Sequence, residues 1–329
     1  MNESPDILNE IVSITGAKVI TGTERIQELW GGYGQLLRVF IDGSEKFSSV
    51  IVKHIKFPEK PSHRYGWSTD QGHARKLKSY QVEFYWYHRW GSVLSANCRI
   101  PQLLAGFTRG KERFLVLEDL NAAGFEVRKA SLSVNQTKPI IDWLAEFHAF
   151  FMGESDAELW EEGSYWHLAT RQEEWESMPA GPLKDHAGKL NEQLTKCPYK
   201  TMIHGDAKLA NFCLSADLSQ VAAVDFQYVG HGCGMRDLVY FLGSCLSEEA
   251  CFEHAEDLCA YYLTQLSHRL NYHHPNVNAE VISANYEQLY PVAWADFTRF
   301  LIGWKPGHQK INAYSKQLVE QALAINFFS

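Results

Sequence analysis

The chain has 329 residues, 45% of them hydrophobic and 21% charged, with a formal net charge of −8. That is the make-up of an ordinary soluble globular protein with enough chain for one large or two smaller domains, and its negative balance disfavours a nucleic-acid partner. Seven cysteines, an odd number with no C-x-x-C pair, speak against a disulfide framework or a zinc cluster. The longest apolar stretch, around Leu238 to Leu246, is too short to cross a bilayer, and Met1-Asn2-Glu3-Ser4-Pro5-Asp6 lacks the basic and apolar regions of a signal peptide. No membrane insertion and a cytoplasmic location are therefore expected; the sequence assigns no oligomeric state.

The N-terminal third reads as strands with one helix. Gly34 to Ile41 is strand-like, and a turn at Asp42-Gly43-Ser44 joins it to a second run, Phe47 to Lys53, in a hairpin pattern. Gly31-Gly32-Tyr33-Gly34 precedes the first strand. Such a cluster is a turn signal; with Gly32 and Gly34 it also suits a loop whose backbone amides approach nucleotide phosphates. Lys53 ends an apolar strand and is expected to point inward, where an ammonium needs an anionic partner. Glu83, on a dense aromatic helix from Ser79 to Trp90, is the candidate partner, the alternative being a place on the wet face of that helix. The basic stretch between them, Lys56 to Lys78, reads as a solvated loop, with a lid over bound phosphates as the sharper alternative.

Strands are expected near Gln102–Phe107 and Arg113–Leu120, followed by a polar, glycine-bearing segment that marks a boundary between residues 1–120 and 121–329. At that boundary Glu118 and Leu120 are candidates for holding an adenine ring through the backbone, with purely structural roles for the Glu118 and Asp119 side chains as the alternative. Val134 to Met152 reads as a helix after a cap at Ser133, with His148 a satisfied core or helix-end histidine rather than a ligand.

The most specific feature is Ile203-His204-Gly205-Asp206-Ala207-Lys208-Leu209-Ala210-Asn211, followed by Val221-Ala222-Ala223-Val224-Asp225-Phe226-Gln227. Asp206 and Asn211 are five apart, and Asp225 lies fourteen further on. Phosphoryl transfer from a metal nucleotide uses this H-x-D-x-x-x-x-N spacing, with a second Asp closing the metal site from the next hairpin. The transition state is metaphosphate-like, so the protein mainly positions groups and screens charge. Asp206 then accepts the proton of the attacking hydroxyl, Asn211 and Asp225 offer hard oxygens to Mg²⁺, and Lys208 steadies the phosphate. His204 reads as a brace for the loop. Taken singly, each of these residues is also an ordinary turn or surface residue.

Gly234 to Leu242 reads as the start of a helix that Asp237 caps while bracing the catalytic loop. Long helices are expected over Glu249–Tyr272, Ala279–Gly303 and Lys310–Phe327. Tyr290, Trp294, Asp296, Phe297, Phe300 and Trp304 suit an aromatic box with an acid for an ammonium, but Tyr290, Trp294, Phe297 and Leu301 also fall at the helical spacing of core residues.

On these residues the chain resembles the aminoglycoside phosphotransferase and choline kinase group, which has a protein-kinase-like fold and acts on small molecules. The string VDFQYVGHGCGMRDLVYFL is similar to the ecdysteroid kinase-like branch, as is Leu144-Ala145-Glu146-Phe147-His148. The resemblance implies an α+β, bilobal protein-kinase-like fold. Residues 1–120 would form a small antiparallel-sheet nucleotide-binding lobe with one helix, and residues 121–329 a larger, mainly helical catalytic and substrate-binding lobe. It also implies ATP and Mg²⁺ as cofactors, Asp206 as base, Asn211 and Asp225 as metal ligands, and Lys53 with Glu83 as the phosphate-anchoring pair.

Departures from protein kinases narrow the acceptor. Position 205 is Gly where their loop carries Arg, position 227 is Gln where D-F-G carries Gly, and no A-P-E segment follows. A small hydroxylated acceptor, choline-, aminoglycoside- or sterol-like, is expected ahead of a protein. The alternative is a catalytically inactive nucleotide-binding pseudokinase or regulatory module of the same fold.

Overall fold

A computed structural model describes residues 5–57, 70–95 and 97–325. In chain order the elements begin with helix α1 (Pro5–Thr15), strands β1 (Val19–Glu28), β2 (Gly34–Asp42) and β3 (Ser49–Ile55), and helix α2 (Asp70–Arg89). Strands β4 (Leu103–Arg109) and β5 (Glu112–Glu118) come next, then helix α3 (Val134–Phe150). Three short helices follow: α4 (Gln172–Glu176), α5 (Pro182–Asp185) and α6 (Ala187–Thr195). Short strands β6 (Thr201–Ile203), β7 (Phe212–Leu214), β8 (Val221–Ala223) and β9 (Gly230–Gly232) lead into α7 (Met235–Cys245), α8 (Glu248–His273), α9 (Ala279–Trp304) and α10 (Ala313–Ala324). The fold is α+β, an antiparallel sheet followed by a mainly helical region. Two compact units divide it: Met1–Val93 with Arg99–Val127 and Cys213–Val224, and Leu94–Cys98 with Arg128–Phe212 and Asp225–Ser329.

The first unit is built on a five-stranded antiparallel sheet in the order β1-β2-β3-β5-β4. Side chains alternate across a strand. Leu37, Val39 and Ile41 of β2, Val50 and Val52 of β3, and Phe114 and Val116 of β5 therefore share one buried face, packed with Ile7 and Ile11 of α1. Ile7 and Ile11 are four apart, so both point from one side of that helix onto the sheet. Lys53 and Ile55 face the other way, and Ile55 packs with Leu29, Tyr33 and Tyr80.

The strands before and after Lys53 lie where the sequence predicts them, within a few residues. Three elements depart from expectation. Before Gly31, where the sequence signals no element, α1 and β1 form. Helix α2 begins at Asp70, inside the stretch predicted as a loop, of which residues 58–69 lie outside the described residues. Arg75, Lys76 and Lys78 read as a polar connection, yet long charged side chains are good helix formers, and Lys76 lays its ammonium 4.7 Å from the Tyr80 ring centroid one turn on.

In the second unit α3 is buried along Ile140, Ile141, Trp143, Leu144, Phe147 and His148 and packs on α8, while α9 packs against α6, α7, α8 and α10. Polar caps set the helix starts. Ser247 accepts from Ala250 N (3.2 Å), Asn278 from Val281 N (3.2 Å) and Asn312 from Ser315 N (2.9 Å). The Asn312 cap places the start of α10 at Ala313, three residues after the expected Lys310, so Lys310 belongs to the connection from α9. The expected end at Phe327 lies outside the described residues. No helix among the described residues is long and apolar enough to cross a membrane.

Candidate active site

Strand β6 leads into the loop of residues 204–211, whose backbone is tied down at once. Gly205 adopts φ +77, and a Cβ there would lie 2.1 Å from the Tyr228 carbonyl oxygen, so only glycine fits where protein kinases carry arginine. The buried Asp237 carboxylate accepts from the backbone N–H of His204 (2.6 Å) and of Gly205 (2.9 Å). Its Oδ2 also meets His148 Nε2 at 3.1 Å, while His148 Nδ1 meets the Tyr262 hydroxyl at 2.7 Å. His148 is thus a satisfied core histidine. Asp237 braces the loop but does not cap α7: the cap position is Gly234, with no side-chain hydrogen bond, because the carboxylate is turned to the loop instead. His204 Nδ1 accepts from Asp206 N (3.2 Å) and shapes the turn.

Asp206 is 6% exposed. Its Oδ2 accepts from Lys208 Nζ and from Asn211 Nδ2, each at 3.0 Å, and Asn211 Nδ2 also donates to the Asp206 carbonyl at 2.7 Å. With its nitrogen committed, the Asn211 amide presents Oδ1 on the opposite side. Asp225 stands at φ +70, a strained conformation for a non-glycine residue, and its Oδ1 accepts from Gln227 Nε2 at 2.7 Å. Burial opposes the charge on Lys208, but Asp206 and Asp225 outweigh it and hold the ammonium above the usual lysine value. Asp206, Lys208, Asn211 and Asp225 therefore share one neighbourhood.

Among the described residues no group of three or more His, Cys, Asp or Glu side chains is placed to hold a metal ion. One carboxylate and one amide oxygen make a partial shell of hard donors. Such a shell fits Mg²⁺, which keeps water and substrate phosphates in its remaining positions.

In the first unit Lys53 Nζ lies 2.6 and 2.7 Å from the two Glu83 carboxylate oxygens, with Lys53 6% and Glu83 2% exposed. The sequence predicts this pairing from burial alone. Gly32 (φ +77) and Gly34 (φ +122) form the β1–β2 turn, and a Cβ on Gly34 would lie 2.0 Å from the His54 carbonyl oxygen of β3. The turn itself thus accounts for Gly34. The Glu118 carboxylate is engaged by Arg99 and by Gln102 N (3.0 Å), and Asp119 by Arg38 and Ser49, each at 2.7 Å. Both side chains are structural. Leu120 is buried, its carbonyl accepts from Phe125 N (2.8 Å), and its N–H donates to no partner among the described residues.

Three further residues stand near Asp206 without any sequence signal. The Tyr165 and Tyr240 phenols are pushed well above the usual value, chiefly by burial and also by the Asp206 charge. Tyr165 follows Ser164, held at φ 98, and its N–H donates to the Gly205 carbonyl at 3.0 Å. Lys310 is lowered to about 8 by burial, with repulsion from Lys208 adding to it and Cys245 and Asp206 opposing. Of the two readings of the α9 aromatic residues, core packing is the one the structure bears out, and the alternative of an aromatic box with an acid does not form. Tyr290, Trp294, Phe297 and Phe300 are buried as core, and Asp296 is held by Arg299 (2.9 Å) with Arg236 at 3.8 Å.

The ecdysteroid kinase-like family model matches residues 164–274, a span that holds the catalytic loop, Asp225 and α7. Over nearly its whole length the chain is similar in structure to a choline kinase from Cryptosporidium parvum, with a TM-score of 0.53, 12% identity and cover of 97% of this chain and 94% of that one. A similar likeness holds to a putative aminoglycoside phosphotransferase from Ralstonia eutropha, with a TM-score of 0.52, 10% identity and cover of 97% and 95%. A third neighbour, a thermostable mutant aminoglycoside phosphotransferase solved with ADP and hygromycin B, gives a TM-score of 0.50 at 10% identity, covering 97% and 98%. No curated protein matches by sequence. At these identities the likeness establishes the fold, which is protein-kinase-like, and the resemblance seen in the sequence holds.

Proposed function

We propose that the protein is an ATP- and Mg²⁺-dependent phosphotransferase acting on a hydroxyl group of a small molecule. One observation carries this: the buried Asp206 carboxylate is fixed by Lys208 and Asn211, with the Asn211 carbonyl left to face a cation. The family match and the shared fold of small-molecule kinases support it.

Asp206 is the base. Its Oδ2 is anchored by Lys208 and Asn211, and the Tyr240 hydroxyl also bonds the carboxylate, which holds the base in place to take the acceptor's proton and aim the resulting oxygen at phosphorus. Lys208, kept charged by its two carboxylate neighbours, sits where a transferring phosphoryl group needs a positive charge. Asn211 and Asp225 would hold Mg²⁺, which when bound screens phosphate charge. We assign Lys53, oriented by Glu83, to the α/β-phosphates, the Gly32–Gly34 turn to the phosphates' backbone cover, and the backbone of Glu118 and Leu120 to the adenine, which the spare Leu120 N–H supports. Residues 1–120 are then the nucleotide-binding lobe and 121–329 the catalytic and substrate-binding lobe. Seven free, buried cysteines suit a reducing, cytoplasmic setting.

The test is Mg²⁺-dependent phosphorylation of choline, ethanolamine, aminoglycosides, sterols and sugar alcohols, read by mass shift, for wild type and Asp206→Asn. Transfer lost by about 10²- to 10⁴-fold in the variant, with nucleotide still bound, is the expected result. Nucleotide binding without Asp206-dependent transfer to any acceptor would instead identify an inactive module of the same fold.

A further inference from the structure

Lys310, on the connection between α9 and α10, directs its ammonium at aromatic faces. Nζ lies 5.1 Å from the Tyr240 ring centroid and 5.7 Å from that of Phe297. These rings belong to a cluster with Trp166, Phe300 and Leu301, edged by Tyr165 and Trp304. The cluster adjoins the Asp206 loop, since the Tyr165 N–H donates to the Gly205 carbonyl at 3.0 Å and the Tyr165 and Tyr240 ring centroids lie 5.5 Å apart. Among the described residues no carboxylate pairs with Lys310. A half-buried ammonium with rings for company and no carboxylate in direct contact is a costly arrangement unless it serves a ligand.

Ring faces beside an acid are what a quaternary ammonium or a protonated amine seeks. Here both attractions are already used. The chain's own cation covers Tyr240 and Phe297, and the acid of α9, Asp296, is neutralised by Arg299 and Arg236. A second cation on the same rings would meet Lys310 and Lys208 together, in a setting where water screens poorly.

We propose that Lys310 is a charge filter of the acceptor site, occupying the cation position over Tyr240 and Phe297 so that the acceptor presents an uncharged or anionic end there. The inference rests on the phosphotransferase reading only in placing the acceptor beside Lys310, at the edge of this cluster. Choline and aminoglycosides are then poor ligands, and alcohols without positive charge are the substrate class. An anionic end would supply the counter-charge that Lys310 lacks.

The experiment measures binding rather than turnover. Choline and tetramethylammonium are titrated into the full-length wild type, Lys310→Met and Lys310→Arg, with calorimetry and tryptophan fluorescence as readouts. Removing the charge while keeping the apolar stem should raise choline affinity by roughly tenfold or more, the worth of a desolvated cation–π contact, and the arginine variant should not gain. If Lys310→Met fails to fold by circular dichroism, Lys310→Gln takes its place. Tight choline binding by the wild type, or a folded charge-free variant with no gain, overturns the proposal while leaving phosphoryl transfer untouched. A gain in choline affinity alongside absent transfer to any acceptor overturns the phosphotransferase reading and leaves the filter standing.

Discussion

Asn211 Nδ2 donates to both the carbonyl (2.7 Å) and the carboxylate (3.0 Å) of Asp206. One amide thereby fixes the rotamer of the base and turns its own oxygen outward. Asn211→Ala should impair both functions. The expected outcome is a Mg²⁺ requirement raised about 10- to 100-fold together with a lower kcat. Asn211→Asp keeps an oxygen for the metal but loses the donor and sets a second carboxylate against Asp206. It should recover metal dependence better than kcat. Titration of activity against Mg²⁺ checks this, and an unchanged metal requirement in Asn211→Ala removes the residue from the metal site.

Lys53 and Glu83 form a buried pair, so single substitutions are expected to cost stability as well as activity. Lys53→Met takes the ammonium away from a carboxylate that is 2% exposed, and Glu83→Gln takes the carboxylate away from an ammonium that is 6% exposed. Each should lower unfolding stability by about 3–5 kcal/mol, whereas the charge-free double variant should lie well above the sum of the two losses. Nucleotide affinity separates the roles: it should stay low in the double variant although stability returns. Denaturant melts and nucleotide titration on all four proteins make the cycle. Additive stability losses would mean that the two charges do not depend on each other.

Residues whose placement follows from local spacing were legible in the sequence. Asp206, Asn211 and Asp225 lie on one loop and the hairpin after it, and Lys53 announced its burial by ending an apolar strand. Residues brought in from distant elements left no such trace. Tyr165 precedes the loop by dozens of residues on a segment with no periodicity, and Tyr240 looks like any other apolar position of α7. Lys310 was hidden by its helix boundary: charged residues suit a helix start, and only the Asn312 side chain accepting from Ser315 N shows that α10 begins after it. The aromatic residues of α9 were read as core from their helical spacing, and the acid among them is accounted for within the same helix. Asp296 and Arg299 are i,i+3 neighbours, and their pairing at 2.9 Å satisfies the charge within the helix.

Gly205 offers a test of how closely the loop is built. A Cβ at this position would overlap the Tyr228 carbonyl and approach Ser164 N at 2.7 Å, and the φ of +77 disfavours any side chain. Gly205→Ala must therefore shift the loop or unfold it, at a cost of about 1–3 kcal/mol for the strain. The Asp237 contacts to His204 N and Gly205 N would be disturbed in the same movement. The expected signature is a lower melting temperature with kcat reduced more than nucleotide affinity, because nucleotide anchoring is assigned to residues of the first unit. Wild-type kcat in Gly205→Ala would show that the loop tolerates displacement and that its backbone does not position Asp206.

Lys310 gives a pH signature of its own. The groups facing it are Asp206, Lys208 and Cys245, the Tyr240 phenol, and His308, itself lowered by burial and by Lys310 and Lys305. In the folded chain the Lys310 ammonium loses its proton near pH 8, whereas an unfolded lysine keeps it to about 10.4. Between those values the unfolded state binds more protons, so this group's contribution to stability rises with pH; below about 8 its charge is a full burden on the fold. Lys310→Met removes the burden and should melt above wild type at pH 7. The advantage should shrink from pH 8 upward and vanish near pH 10, with the other facing groups cancelling because both proteins carry them. Melting curves of the two proteins at pH 7, 8.5 and 10 decide the matter. A constant difference across that range would mean that the ammonium holds its proton as tightly in the fold as outside it, and that burial places no burden on its charge.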